Sequence, residues 1–156
     1  MAKRKVAGFS KSKGMSTEVP TYPDGKYVFQ VENHGEKDSR KGTSTVHTYR
    51  MRCVDMLGDT AEQKAMVDKV YFNRLIELHD DHESYEEWGH LFTDELKSFF
   101  EATGVADQVK ADNVDFDLPV GKTFVATIKT REGQDEEGNP RTENRIAKYE
   151  PDEVAE

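Results

Sequence analysis

Residues 92–104 read Phe92-Thr93-Asp94-Glu95-Leu96-Lys97-Ser98-Phe99-Phe100-Glu101-Ala102-Thr103-Gly104. Phe92, Leu96, Phe99 and Phe100 recur at helical spacing and predict one buried stripe. Thr93 has the character of an N-cap, with Asp94 and Glu95 in the first turn, where the helix dipole favours anions. Gly104 stands where a helix ends on a left-handed residue. Trp88 is expected to pack beneath this segment.

On either side of the helix the period is two. Upstream, Thr21-Tyr22-Pro23-Asp24-Gly25 is a turn, since proline presets φ and Asp-Gly supplies a tight bend. A first strand follows over 26–31, with Tyr27, Phe29 and Val31 on one face. Residues 34–44 form a polar loop. A second strand spans about 45–55, with Tyr49, Met51 and Cys53 on one face and Thr48, Arg50 and Arg52 on the other. After a turn at 57–59, or a short helical turn over 58–65, a third strand runs from Met66 to about Arg74. Downstream of the helix, 105–120 connects to a fourth strand over 122–129, with Phe124, Ala126 and Ile128 inward. A long hairpin loop over 131–142 precedes a fifth strand over about 143–149.

Short alternating strands with one helix between the third and fourth predict a mainly β fold. The expectation is a five-stranded OB-type barrel plugged at one end by the helix. An α+β sheet capped by the same helix has the same local pattern, because strand pairing is not visible in one sequence. The expected organisation is a mobile basic arm over 1–21, one domain over 22–149 and an acidic tail over 150–156. The chain has 156 residues, of which 35% are hydrophobic and 10% aromatic. That aromatic share is too high for a wholly disordered chain and fits one domain with polar loops.

No apolar run approaches the ~20 residues a membrane helix needs. No apolar stretch follows the basic N-terminus, so no secretory leader is expected. Cys53 is the single cysteine. It can form no internal disulfide, and a reducing, cytoplasmic setting is the expectation.

The net charge of -9 argues against a nucleic-acid ligand, but the charge is unevenly spread. Lys3, Arg4, Lys5, Lys11 and Lys13 face only Glu18 within 1–21, whereas Glu150, Asp152, Glu153 and Glu156 crowd the last seven residues. Between 75 and 95 stand Glu77, Asp80, Asp81, Glu83, Glu86, Glu87, Asp94 and Glu95, with no lysine or arginine. The remainder is nearly neutral, which leaves room for a local basic face. The acidic run itself reads first as a solvated surface.

Several short stretches in a fixed order carry a family likeness. They are Pro23-Asp24-Gly25-Lys26-Tyr27, the Tyr/Met-alternating second strand, Leu96 to Gly104, Val120-Gly121-Lys122-Thr123-Phe124, and Asn144-Arg145-Ile146-Ala147-Lys148-Tyr149. In this layout, over roughly 22–150, the chain resembles phage-encoded single-stranded DNA-binding proteins and a related family of uncharacterised phage OB-like proteins. The resemblance implies an OB fold and single-strand binding in phage replication or recombination, in a bacterial host's cytoplasm. It implies no catalytic residue and no cofactor. The acidic segment at 75–95 is longer than the family's minimal pattern. The C-terminal tail is short for a partner-recruiting one and lacks a terminal aromatic.

Single-strand binding needs cations for phosphates and flat side chains for bases. On strand alternation, Arg50 and Arg52 point away from the core, and Lys69 and Tyr71 point opposite to Val70 and Phe72. Tyr71 is then the expected stacking platform, worth roughly 1–3 kcal/mol per base. Lys37, Arg40 and Lys41 extend this face, and Arg131 and Arg141 close its far side. The same residues also fit ordinary solvent-facing positions on half-exposed strands, and a one-residue slip reverses every assignment. The basic arm could touch phosphates or act as a solubilising leader. The acidic tail could recruit replication or recombination proteins or be plain terminus. Exposed edges leave homo-oligomers open.

Two further stretches bear on chemistry. His79-Asp80-Asp81-His82-Glu83 gathers potential metal ligands, but in a polar loop without zincin spacing, so a hydrated surface is the expectation and no metal is assigned. Cys53 alternates with core residues and reads as a small buried hydrophobe. Phosphate-loop, dinucleotide and nucleophile-elbow motifs are missing, so no enzyme is expected. The rival to single-strand binding is an acidic phage interaction module that uses 75–95 to occupy a basic partner, as a DNA mimic would.

Overall fold

Strand β1 (Gly25–Asp38) organises the molecule, because both neighbouring ladders hang on it. In the computed structural model, which describes residues 3–134 and 137–152, β1 is followed by β2 (Ser44–Met56), the one-turn α1 (Ala61–Lys64) and β3 (Val70–Leu78). Then come α2 (Tyr85–Ala102), β4 (Thr123–Gln134) and β5 (Pro140–Pro151). All pairings are antiparallel, in the order β3-β2-β1-β4-β5. The result is a mainly β chain: one open five-stranded sheet with two α-helices. Among the described residues no helix is long and apolar enough to cross a membrane.

β1 pairs with β2 from Tyr27 to Asp38 but with β4 only from Gly25 to Gln30. Two irregularities, at Val28/Phe29 and Val31/Asn33, interrupt the β1–β2 register. A bulge adds a residue to one strand and so changes which parity faces inward. Tyr27, Phe29 and Val31 point into the core, and beyond the second bulge His34 lies opposite the inward Tyr49.

The inner face carries Tyr27, Phe29, Val31, Tyr49, Met51, Cys53, Phe124, Ala126 and Ile128, each almost fully buried. These are the inward sets expected for the first, second and fourth strands. Leu96, Phe99 and Phe100 of α2 close this core, with Phe92 partly buried at its margin. Phe99 meets Tyr49 and Phe124 edge-on, at ring-centroid distances of 4.8 and 5.2 Å, a favourable aromatic geometry. Gly104 follows the helix at φ 79°, as its position in the sequence predicts.

Five sequence expectations are corrected. β1 runs on to Asp38, so much of the polar loop expected over 34–44 is strand paired with β2. The helix begins at Tyr85, not at Thr93, and Thr93 lies in its middle. Glu86 and Glu87 occupy the real first turn, where anions stabilise the dipole. Gly89 does not break the helix, since the Tyr85 ring lies over it and a Cβ there would fall 2.8 Å from Cδ2. Trp88 is 51% exposed and does not pack beneath the segment. The third strand starts at Val70, after Asp68 bends the chain at φ 75°. Finally, the ladder β4–β5 reaches Gln134 and Pro140, so the long loop over 131–142 is mostly hairpin.

The outer strands β3 and β5 share no backbone ladder. They are linked instead by side chains and by the segment before β1. Asn73 Nδ2 donates to Tyr149 Oη at 2.9 Å. Val70 N donates to Glu18 O at 2.9 Å. Asn144 grips the backbone of Tyr22 twice, accepting from its N at 2.7 Å and donating to its O at 2.9 Å. The segment from Glu18 to Tyr22, which spans the expected boundary between arm and domain, therefore contacts both sheet edges. Tyr22 itself is fully buried, edge-on to Tyr27 and Tyr71, and donates its hydroxyl to Val70 O at 3.1 Å.

Tyr22→Ala is expected to cost about 3–5 kcal/mol, through the cavity left in an aromatic cluster. Tyr22→Phe should cost about 1 kcal/mol, the worth of one hydrogen bond. Urea unfolding of the two variants checks both values.

Candidate nucleic-acid interface

Residues directly opposite in an antiparallel ladder share a sheet face. Met51 is buried and lies opposite Tyr71, so Tyr71 points inward. It packs against Phe29 and Tyr22 and is 8% exposed, and its burial pushes the phenol up to about 12. The expected stacking residue is thus a core residue. Phe72 points outward in its place, opposite Arg50 and 39% exposed. The expected alternation fails because Val70, which has outward parity, is covered by residues 18–22 and is buried as well.

The outer face of β2 and β3 carries three successive cross-strand pairs: Arg50 with Phe72, Thr48 with Arg74, and Val46 with Ile76. Lys37 of β1 lies beside Val46. Arg40 and Lys41 are exposed in the β1–β2 turn. Among the described residues, none of Lys37, Arg40, Lys41 and Arg74 has an ion-pair partner. Arg50 Nε lies 3.0 Å from Glu32 Oε1, an ionic contact without hydrogen-bonding alignment.

Arg52 does not face solvent as expected. It is 6% exposed. Its Nε donates to Glu32 Oε2 at 2.9 Å, and its Nη1 donates to Ser16 O at 2.7 Å and Asp68 O at 2.8 Å. A buried guanidinium with these partners is a clamp between β1, β2, the turn before β3 and the N-terminal segment. Lys69 is likewise engaged, 2.8 Å from Glu18 Oε2. Arg74 is exposed, and Arg50 is half-buried beside Glu32.

Where β3 and β5 stand apart, a groove of about 550 Å³ opens. Phe72 and Arg74 line one side and Arg141 and Arg145 the other, with Tyr71 and Glu95 between them. Glu95 accepts from Tyr149 Oη at 2.6 Å, yet burial raises its carboxyl above the usual range. Arg141 and Arg131 share Glu143, at 3.3 and 3.1 Å. Of the nine residues expected to form the site, Arg50, Lys37, Arg40, Lys41, Arg131 and Arg141 are accessible in some degree, Lys69 is tied to Glu18, and Arg52 and Tyr71 are buried. Phe72, Arg74 and Arg145 line the same groove from outside the expected set. The strand register would have found the first two, had it been readable.

The other chemistry-bearing residues are engaged locally. His79 bonds Thr45 Oγ1 at 2.9 Å and Gly42 O at 3.1 Å, and His82 Nδ1 accepts from Ser84 N at 3.0 Å. Among the described residues no group of three or more His, Cys, Asp or Glu could hold a metal ion. Burial pushes the Cys53 thiol up to about 12, so it stays protonated at neutral pH. Of the acidic tail, Glu150 and Pro151 belong to β5, and 153–156 lie outside the described residues. No protein-family model matches the chain, and no curated protein matches it.

Replacing Arg52 by alanine leaves the carbonyls of Ser16 and Asp68 without their donor and removes one of the two arginines beside the half-buried Glu32. A loss of about 1–3 kcal/mol is expected, whereas Arg50→Ala should cost under ~1 kcal/mol. Denaturant unfolding of both variants, side by side, measures the contrast.

Proposed function

We propose that this chain is an OB-type single-stranded DNA-binding protein that binds without strong sequence preference and acts in phage DNA replication or recombination. The observation carrying the proposal is Phe72, an exposed ring flanked by Arg50 and Arg74 at the lip of a groove whose other wall is Arg141 and Arg145. A flat ring among cations is the minimal equipment for stacking a base while neutralising its phosphates. The strand order, with one long helix between β3 and β4, supports the OB-type reading. In this proposal Phe72 stacks, and Arg50, Arg74, Lys37 and the turn residues Arg40 and Lys41 track the backbone. Binding needs no cofactor and no bond-making step. Its place is a bacterial cytoplasm.

The test is anisotropy of labelled (dT)30 at low and moderate salt, with duplex as control. Salt-sensitive binding to the single strand is the expected result. Phe72→Ala should weaken it by roughly 1–3 kcal/mol, about 5- to 150-fold. Arg50→Glu with Arg74→Glu should abolish it, with the fold retained by circular dichroism. Absence of binding at low salt, or binding indifferent to all three changes, refutes the proposal.

One observation favours the rival reading. Trp88 and Leu91 are each 51% exposed on α2, among Glu86, Glu87 and Asp94. An apolar patch rimmed by acids suits a basic protein partner. If that reading holds, Trp88→Ala with Leu91→Ala abolishes partner capture, and Phe72→Ala leaves it intact.

A further inference from the structure

Two histidines outside the proposed interface form a buried chain. His47 is 1% exposed on β2, and the His34 side chain on β1 is 9% exposed. His34 Nε2 lies 3.0 Å from His47 Nδ1, the rings are inclined by 16° and their centroids are 5.3 Å apart. That separation is the N···N distance plus one ring radius at either end, so the two nitrogens face each other along the line joining the rings. This is the geometry of an N–H···N hydrogen bond.

The chain continues at both ends. His47 Nε2 is 2.9 Å from Glu77 Oε1, and His34 Nδ1 is 3.6 Å from Asp117 Oδ1. With Glu77 as acceptor, His47 carries its proton on Nε2. Its bare Nδ1 then accepts from His34 Nε2–H. In this assignment each imidazole is neutral, every N–H has a partner, and His34 Nδ1 is left without a proton.

Phe116 lies over both rings, at 4.1 Å from His47 and 5.4 Å from His34, nearly parallel to each. Its carbonyl accepts from Tyr49 Oη at 2.7 Å. The middle of 109–121, a segment that also packs on the core through Val109, Val114, Leu118 and Val120, is thereby held against β1 and β2. We propose that the His34–His47 pair is an acid-sensitive latch, which keeps 109–121 in place while neutral and releases it when His34 takes a proton on Nδ1.

The direction follows from what surrounds that nitrogen. β1 contributes Glu36, whose Oε2 is 3.8 Å from His47 Nδ1. β2 contributes His47 and the neutral Tyr49, β3 contributes Glu77, and the covering segment contributes Asp117, with Asp115 nearby. From α2 the uncharged Phe92 ring stacks on His47. Asp117 is 75% exposed and beyond hydrogen-bonding distance, so it compensates a new charge weakly. Burial first, then the proximity of His47, hold His34 below its ordinary 6.5, against the pull of Asp117 and Glu36. Lifting Phe116 hydrates the ring and restores its ordinary basicity. Proton uptake therefore accompanies opening. The closed form is fully favoured above that ordinary value and loses ground as pH falls below it, by up to about tenfold per pH unit.

The experiment is hydrogen exchange of the full chain at pH 7.5, 6.5 and 5.5, corrected for intrinsic rates. Protection across 109–121 should fall by up to about tenfold between pH 6.5 and 5.5, while β4 holds steady. His34→Gln, which can still donate to His47 but takes up no proton, should show a flat profile. Unchanged or increased protection at pH 5.5 overturns the proposal, as does an equal fall in His34→Gln. Should that variant not fold, the NMR titration of His34 in the unaltered chain decides, since a midpoint at or above about 6.5 is incompatible with the latch.

Discussion

A guanidinium stripped of water must find its hydrogen-bond acceptors inside the protein. Arg52 finds them in Glu32, Ser16 and Asp68. These acceptors come from the second bulge of β1, the segment before β1 and the turn into β3. The clamp explains features that look unrelated. It places Glu32, at the bulge, on the outer face. It brings residues 16–22 across the start of β3, where Glu18 and Tyr22 take up Val70. Through Tyr22 and Asn144 that same segment reaches β5. Two strands with no ladder between them are thus tied by a strap that one buried arginine fastens.

Most of the fold is legible in the sequence, and it is legible where the signal is local. Pro23-Asp24-Gly25 bends the chain whatever surrounds it, and Tyr49, Met51 and Cys53 keep one inward parity because β2 is flanked on both sides by ladders. The stripe Leu96, Phe99 and Phe100 is set by helix geometry alone. The candidate site was less legible because it rests on parity at β3. Val70, Tyr71, Asn73 and Leu75 are all buried, so two adjacent residues break the alternation. What buries Val70 is a stretch some fifty residues upstream, which no window of local sequence reports. Arg52 was misplaced for the same reason: its acceptors are two main-chain carbonyls and a bulge residue. The polar side chains of 131–142 predict a long hairpin loop, although a backbone ladder between two exposed faces needs no apolar side chain.

Charge is segregated by element. The acids of 75–95 run from the end of β3 through the turn at 79–84 into α2, whereas Arg50 and Arg74 face out from β2 and β3, and Arg141 and Arg145 line the groove from β5. At physiological salt a field decays over about 8 Å. The net charge of -9 therefore says little about what the Phe72 face encounters. Glu32 lies beside Arg50, and Glu95 and Glu143 line the groove. Each is already engaged, with arginine or with Tyr149.

β1 is longer than the partner it shares with β4. Beyond Gln30 its β4 side has only the contacts of Val31 with Gly121 and Lys122. Residues 33–38 are paired on one side and, among the described residues, carry no ladder on the other. Such an edge is a template on which a foreign strand can grow. Here it carries Glu36, Lys37 and Asp38 in succession, and their alternation puts charge on both faces of the free edge. An incoming strand would have to bury at least one of them. The polar tip of this hairpin thus guards the chain against edge-to-edge aggregation, a task for which its lack of apolar residues is the qualification.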